Sequence, residues 1–268
     1  MSGYADPGFD TLALHAGAAP DPATGARAVP IHLTTSFVFE SGDQAAALFN
    51  LERAGHVYSR ISNPTNAVFE QRMAALEGGI GAISTASGQA ALHLSIATLM
   101  GAGGHIVAST ALYGGSHNLL EYTLPRFGIA TELIDGPDNA AWEKALSKKV
   151  TAVFIESPAN PNLELVDIKH VCSVAKKSGA KVIIDNVFAG PLSQRPLQMG
   201  ADVVVYSTTK YMDGQGRTLG GAILGSKSYI EDVLMPYFRH TGPALSPFNA
   251  WVILKGLETL SLRTERHV

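Results

Sequence analysis

From residue 65 onward, short apolar, β-branched runs alternate with longer amphipathic stretches. The apolar runs over 82–86, 105–109, 129–134, 152–156, 181–185, 203–206 and 220–225 predict strands. The stretches between them predict helices over 65–77, from Ser87-Gly88-Gln89 to Met100, and over 116–126, 139–148 and 167–178. Gly78-Gly79 is expected to close the first of these. Strand and helix alternating at this spacing predict the α/β class, a mostly parallel sheet covered by helices on both faces. Residues 1–56, with Pro7, Pro20, Pro22 and Pro30, read as an irregular arm that packs on another subunit. At the far end, Ala250, Trp251, Ile253, Leu254, Leu257 and Leu260 recur at helical spacing, predicting one helix through 247–268. The expected organisation is therefore an arm (1–56), a large domain (57–246) and the start of a helix leading elsewhere (247–268).

Composition narrows the setting. Of 268 residues, 46% are hydrophobic and 16% charged, which supports a sizeable core and argues against disorder. The net charge of −3 without a long basic run gives nucleic-acid binding little support. Cys172 is the single cysteine, so no intrachain disulfide can form, and its place in a helical pattern predicts a small core residue. No secretory signal and no apolar run of ~18 residues is visible, so the expected location is cytoplasmic, away from membranes.

The chemistry concentrates where strands end. Val203-Val204-Val205-Tyr206 breaks into Ser207-Thr208-Thr209-Lys210, and Val182-Ile183-Ile184 breaks into Asp185-Asn186. Ligands of parallel α/β sheets sit at the carboxyl ends of strands. A lysine and an aspartate meeting at that edge, with hydroxyls between, suit pyridoxal 5′-phosphate (PLP). That cofactor needs a Schiff-base lysine, a carboxylate for its pyridinium nitrogen and a phosphate cup. Ser207 and Thr209 are candidate phosphate ligands. Gly88 and Gln89, opening a helix, read equally as a phosphate cradle or as part of a plain N-cap. Tyr113 could stack on a flat heterocycle or pack as a loop tyrosine. Asn160 could meet the ring's phenolic oxygen or simply form an Asn-Pro turn. Tyr58 and Arg60 could complete a site across a dimer interface, Arg60 as a bidentate phosphate ligand, or be a solvated pair. The dinucleotide fingerprint, P-loop and HExxH motifs are missing, and nine histidines lack metal-ligand spacing. A nicotinamide-dependent enzyme is accordingly disfavoured, and no metal site is expected.

Taken together, Tyr58-Ser-Arg60-x-x-Asn63-Pro64-Thr65, Leu76-Glu77-Gly78-Gly79, Ala86-Ser87-Gly88-Gln89-Ala90-Ala91, Leu112-Tyr113-Gly114-Gly115, Glu156-Ser-Pro-Ala-Asn160-Pro161, Asp185-Asn186 and Ser207-Thr-Thr-Lys210-Tyr211 resemble the Cys/Met-metabolism, or trans-sulfuration, family of PLP enzymes. The resemblance implies fold type I, the aspartate-aminotransferase-like large domain. It implies that Lys210 is the Schiff-base lysine, Asp185 the pyridinium partner and Tyr113 the ring-stacking tyrosine. It implies that Gly88, Gln89, Ser207 and Thr209 form the phosphate cup, and that Tyr58 and Arg60 are lent by a neighbouring subunit of a homodimer or homotetramer.

Within the family, Asp213-Gly214-Gln215-Gly216-Arg217 and the 242–251 segment look like O-succinylhomoserine sulfhydrylases. Ala45-Ala-Ala-Leu-Phe-Asn50 and Tyr113-Gly-Gly-Ser-His-Asn118 look closer to O-acetylhomoserine sulfhydrylases. The implied activity is γ-replacement in methionine biosynthesis, making homocysteine from O-succinyl- or O-acetyl-L-homoserine and sulfide. Cystathionine γ-synthase and methionine γ-lyase activities are the near alternatives. The family also carries a C-terminal domain with an arginine for the substrate carboxylate, and this chain ends at Val268 before it. A truncated, non-catalytic PLP-binding fragment or oligomerisation module is thus the rival of another class.

Overall fold

The β-branched runs alternate their side chains between two cores, and that alternation builds the molecule. Val204 and Tyr206 fall in one buried cluster, Val203 and Val205 in the other; Val182 and Ile184 likewise oppose Ile183. The computed structural model describes residues 6–50, 52–78 and 81–268. Its strands are β1 (Gly81–Thr85), β2 (His105–Ser109), β3 (Ala130–Ile134), β4 (Ala152–Glu156), β5 (Lys181–Asp185), β6 (Val203–Ser207) and β7 (Gly221–Gly225). Its helices are α1 (Phe9–His15), α2 (Gly42–Phe49), α3 (Pro64–Glu77), α4 (Gly88–Leu99), α5 (Gly114–Asn118), α6 (Asn139–Leu146), α7 (Ile168–Ser178), α8 (Gly190–Ser193), α9 (Met235–Thr241), α10 (Pro247–Leu257) and α11 (Leu260–His267).

The seven strands form one sheet in the order β1-β7-β6-β5-β4-β2-β3, parallel except for β7, which runs antiparallel to both neighbours. The α/β expectation holds. Residues of α3, α6, α7 and α10 pack on one face, and residues of α4 and of the 119–127 and 229–238 segments on the other. The carboxyl ends of β1, β4, β5 and β6 therefore share one edge. Cys172 is buried in α7, and burial pushes its thiol up to about 12. Among the described residues no helix is long and apolar enough to cross a membrane.

Local signals explain the boundaries. Asn63 accepts from the Thr65 N–H at 2.9 Å ahead of Pro64, and Gly78 ends α3 at φ +117°. Gly79 lies outside the described residues, as do 1–5 and 51 of the arm.

Three expectations differ from what is found. The arm is not wholly irregular, because α1 and α2 lie in it and Ala13 joins the core. Seven and eight residues between prolines give too short a periodic signal. The helix over 116–126 is broken into α5, a π turn (Leu119–Thr123) and a 3-10 turn (Leu124–Phe127), since Pro125 has no N–H to continue the ladder. The last helix breaks at Glu258-Thr259 into α10 and α11. There the Arg263 guanidinium takes the Gly256 carbonyl at 2.7 Å.

Candidate active site

β4, β5 and β6 end in Glu156, Asp185 and Ser207. By alternation these three lie on the face that holds Phe154, Ile183 and Val205, the face covered by α4. They open into a cavity of about 660 Å³ lined also by Ser87, Gly88, Gln89, Tyr113, Asn160, Thr209 and Lys210. The strand-end prediction thus brings Lys210, Asp185, Ser207, Thr209, Gly88, Gln89, Tyr113 and Asn160 to one place. Tyr58 and Arg60 are not there: Tyr58 is 42% exposed, and Arg60 stacks on its ring at 5.5 Å and donates to the Arg239 carbonyl.

The N-terminus of α4 forms one wall of the cavity. Ser87 Oγ accepts from the Ala90 N–H at 3.1 Å, and the Ser87 carbonyl takes the Ala91 N–H at 3.0 Å. Among the described residues no acceptor takes the Gly88 or Gln89 N–H groups, so both are free at the positive end of a twelve-residue helix. Gly88 is needed for this approach, since a Cβ there would stand 2.5 Å from Ser207 Cβ. Gly88→Ala is expected to destabilise the fold by about 1–3 kcal/mol and to weaken anion binding, read from thermal midpoints with and without phosphate.

Asp185 is the electrostatic centre. Its Oδ1 accepts the Val187 N–H at 3.0 Å. Burial first, then the neighbouring Glu156 charge, raise its carboxyl to about 7, against the Val187 hydrogen bond and the Lys210 charge. A carboxylate held this way lacks a cation. Lys210 does not serve, because its ammonium has no carboxylate within ion-pair distance among the described residues.

Two residues of the cavity escaped the sequence reading. Glu156 accepts the Tyr113 N–H at 2.7 Å and the Asn160 N–H at 2.8 Å, tying two loops together. Burial raises its carboxyl too. Its position as the polar last residue of an apolar strand is the same signal that marked Asp185. Arg263 donates to the carbonyls of Tyr211 at 2.5 Å and Met212 at 3.4 Å, fixing the chain just after Lys210. No local signal marks it, because the contact depends on the break before α11.

The profile of the Cys/Met metabolism PLP-dependent enzymes matches residues 10–268. The chain belongs to this family. It is 50% identical over 235 residues to the O-succinylhomoserine sulfhydrylase of Mycobacterium tuberculosis, covering 88% of this chain and 58% of that protein. It is 42% identical to the O-acetyl-L-homoserine sulfhydrylase of Leptospira meyeri, over 96% of this chain and 67% of that one. Its fold matches a Campylobacter jejuni protein assigned as an O-acetylhomoserine (thiol)-lyase with a TM-score of 0.90 and 35% identity, over 96% of this chain and 72% of that one. That structure carries N′-pyridoxyl-lysine-5′-monophosphate. This family member thus spans little more than half the length of its mycobacterial relative.

The residues present fit the family's cofactor. Free helix N–H groups and the Ser207 hydroxyl, which makes no hydrogen bond among the described residues, suit a phosphate. The raised carboxyl of Asp185 suits a cationic ring nitrogen, and the Lys210 amine, with no carboxylate within ion-pair distance among the described residues, suits an aldehyde.

Proposed function

We propose that this chain is the cofactor-binding part of a PLP-dependent sulfhydrylase that makes homocysteine from O-succinyl- or O-acetyl-L-homoserine and sulfide. The observation that carries the reading is the convergence of Lys210, Asp185 and the free α4 N-terminus on one cavity. The identities to sulfhydrylases of both ester classes support the reaction type. A methionine γ-lyase of Pseudomonas putida, 40% identical over 97% of this chain, keeps γ-elimination as the second reading.

When bound, PLP supplies a covalent anchor for the substrate amine and a sink for the electrons of its α-carbon. Gly88, Gln89, Ser207 and Thr209 would hold the phosphate, and Tyr113 and Asn160 would contact the ring. Asp185 would pair with the ring nitrogen and favour its protonated form. The Lys210 amine would take the substrate's α-proton and later return it. Glu156 keeps Tyr113 and Asn160 in place from below.

The site is completed by a second copy. Leu33 and Val38 in the arm are 69% and 100% exposed, a poor end for apolar side chains in a lone chain. They and the Tyr58–Arg60 pair fit the surface of a homodimer, or of a homotetramer built from dimers, in the cytoplasm.

The test is direct. The 268-residue chain is saturated with PLP, reduced with borohydride and digested, and the peptide containing Lys210 is expected to carry the adduct. Either ester plus sulfide is then expected to yield homocysteine. An adduct elsewhere removes the site assignment. An adduct at Lys210 without homocysteine leaves a cofactor-binding module, and release of a ketoacid without sulfide selects the lyase.

A further inference from the structure

Behind the cavity wall, on the other face of the sheet, lies a run of buried polar groups that the proposed chemistry does not use. Glu77, the last residue of α3, is 1% exposed, Tyr206 1% and Asn186 0%. The Tyr206 hydroxyl donates to Glu77 Oε1. Asn186 Nδ2 donates to the Tyr206 oxygen at 2.6 Å and to the Gln194 carbonyl at 2.8 Å. Gln194 Nε2 donates to Asn186 Oδ1 and to the Ser157 carbonyl, each at 2.8 Å. The chain of bonds thus runs from α3 across the ends of β6, β5 and β4.

Tyr206 in β6, and Asn186 and Ser157 one residue past the ends of β5 and β4, each adjoin a cavity residue: Ser207, Asp185 and Glu156. Tyr206 falls in the core cluster on the face away from the cavity, as alternation in β6 requires. The bonds to Asn186 and, through Gln194, to the Ser157 carbonyl carry the network from there past the ends of β5 and β4.

The network is costly. Glu77 Oε2 has no partner among the described residues, and burial raises its carboxyl to about 7. The charged group nearest it in effect, Arg195, donates instead to the Pro191 carbonyl at 3.2 Å. Burial and the Glu77 charge push the Tyr206 phenol up as well. An apolar residue of similar volume would fill the Glu77 site without these penalties. What an apolar residue could not do is fix the relative height of three strand ends.

We propose that Glu77, Tyr206 and Asn186 form a positioning brace that holds the ends of β5 and β6 from behind and thereby sets how tightly Asp185 and Ser207 grip the cofactor. The proposal rests on the reading that the front cavity binds PLP.

Tyr206→Phe removes the hydroxyl and leaves the ring. Glu77→Leu removes the acceptor, and Glu77→Gln keeps one. In the apo chain, Tyr206→Phe and Glu77→Leu are expected to speed amide exchange about tenfold at Asn186, Val187 and Thr208, with Ile106 and Val107 of β2 unchanged. PLP dissociation constants are expected to rise about tenfold in both, while Glu77→Gln stays within about threefold of the parent. If Glu77→Leu fails to fold, Tyr206→Phe and Glu77→Gln carry the comparison. Parental exchange and parental affinity in Tyr206→Phe overturn the brace, and so does a rise in exchange spread evenly over the sheet. Failure of the parent chain itself to bind PLP overturns the cavity reading instead, and the exchange pattern still decides the brace.

Discussion

Lys210→Ala is expected to end covalent retention of PLP and to cut homocysteine formation by at least about 10²–10⁴-fold, the span a positioned general acid–base contributes. Lys210 lines the cavity directly after the Ser207-Thr208-Thr209 turn. Lys210 is the one lysine among the described residues that line the cavity, and the carbonyls that follow it are held by Arg263. The groups proposed to hold the phosphate remain in this variant, so PLP is expected to bind still, reversibly. The checks are borohydride mass spectrometry, the absorbance of the bound cofactor before and after dialysis, and turnover with each ester. Covalent adduct or parental turnover in the variant contradicts the assignment.

Asp185→Asn is expected to act in opposite directions on the apo and loaded chains. In the apo chain burial, with the Glu156 charge, pushes the carboxyl up to about 7 from its usual 3.8. A raised carboxyl favours the fold in its neutral form, so its contribution is fully present below about pH 4 and is lost as pH rises through about 7. Asparagine cannot ionise and avoids that loss. Apo Asp185→Asn is therefore expected to melt higher than the apo parent at pH 8, the difference shrinking as pH falls toward about 4. With PLP present the order reverses, because the cationic ring nitrogen turns the buried carboxylate from a liability into a partner. The variant is expected to bind PLP about 10- to 100-fold more weakly, from the loss of a charged hydrogen bond. Turnover is expected to fall about 10²–10³-fold, as when one preorganised electrostatic partner is removed. Melting curves of both forms at two pH values and a PLP titration check this. Equal affinity in parent and variant contradicts the role of Asp185.

The strands were legible because their signal is local. In Val203–Tyr206 and Val182–Ile184, burial on both faces requires unbroken apolar residues, and a strand that ends at a binding edge must switch abruptly to polar ones. That switch exposed Asp185, Ser207, Thr209 and Lys210 together. The same signal stood at Glu156, yet without its two loop N–H partners nothing told it apart from a turn acid. The helical segment at 229–241 was not legible, because Pro236 interrupts its pattern and reads as a stop.

The sequence by itself determined the layered α/β architecture, the carboxyl edge where ligands sit, and the residues at that edge that fit PLP. Only the tertiary structure decided which groups hold them there. The Tyr206–Glu77 bond joins residues 129 positions apart, and the Arg263–Tyr211 bond spans 52. Periodicity reports what a residue's own strand or helix must bury, and it carries no information about a hydrogen-bond partner on another element. The N–H groups of Gly88 and Gln89, without acceptors among the described residues, likewise joined the cavity only when α4 was seen to meet β6 at Ser207. The placement of Arg60 away from the cavity was decided the same way, by packing at the end of α9 and Gly242 with its guanidinium over the Tyr58 ring, rather than by anything in their own motif.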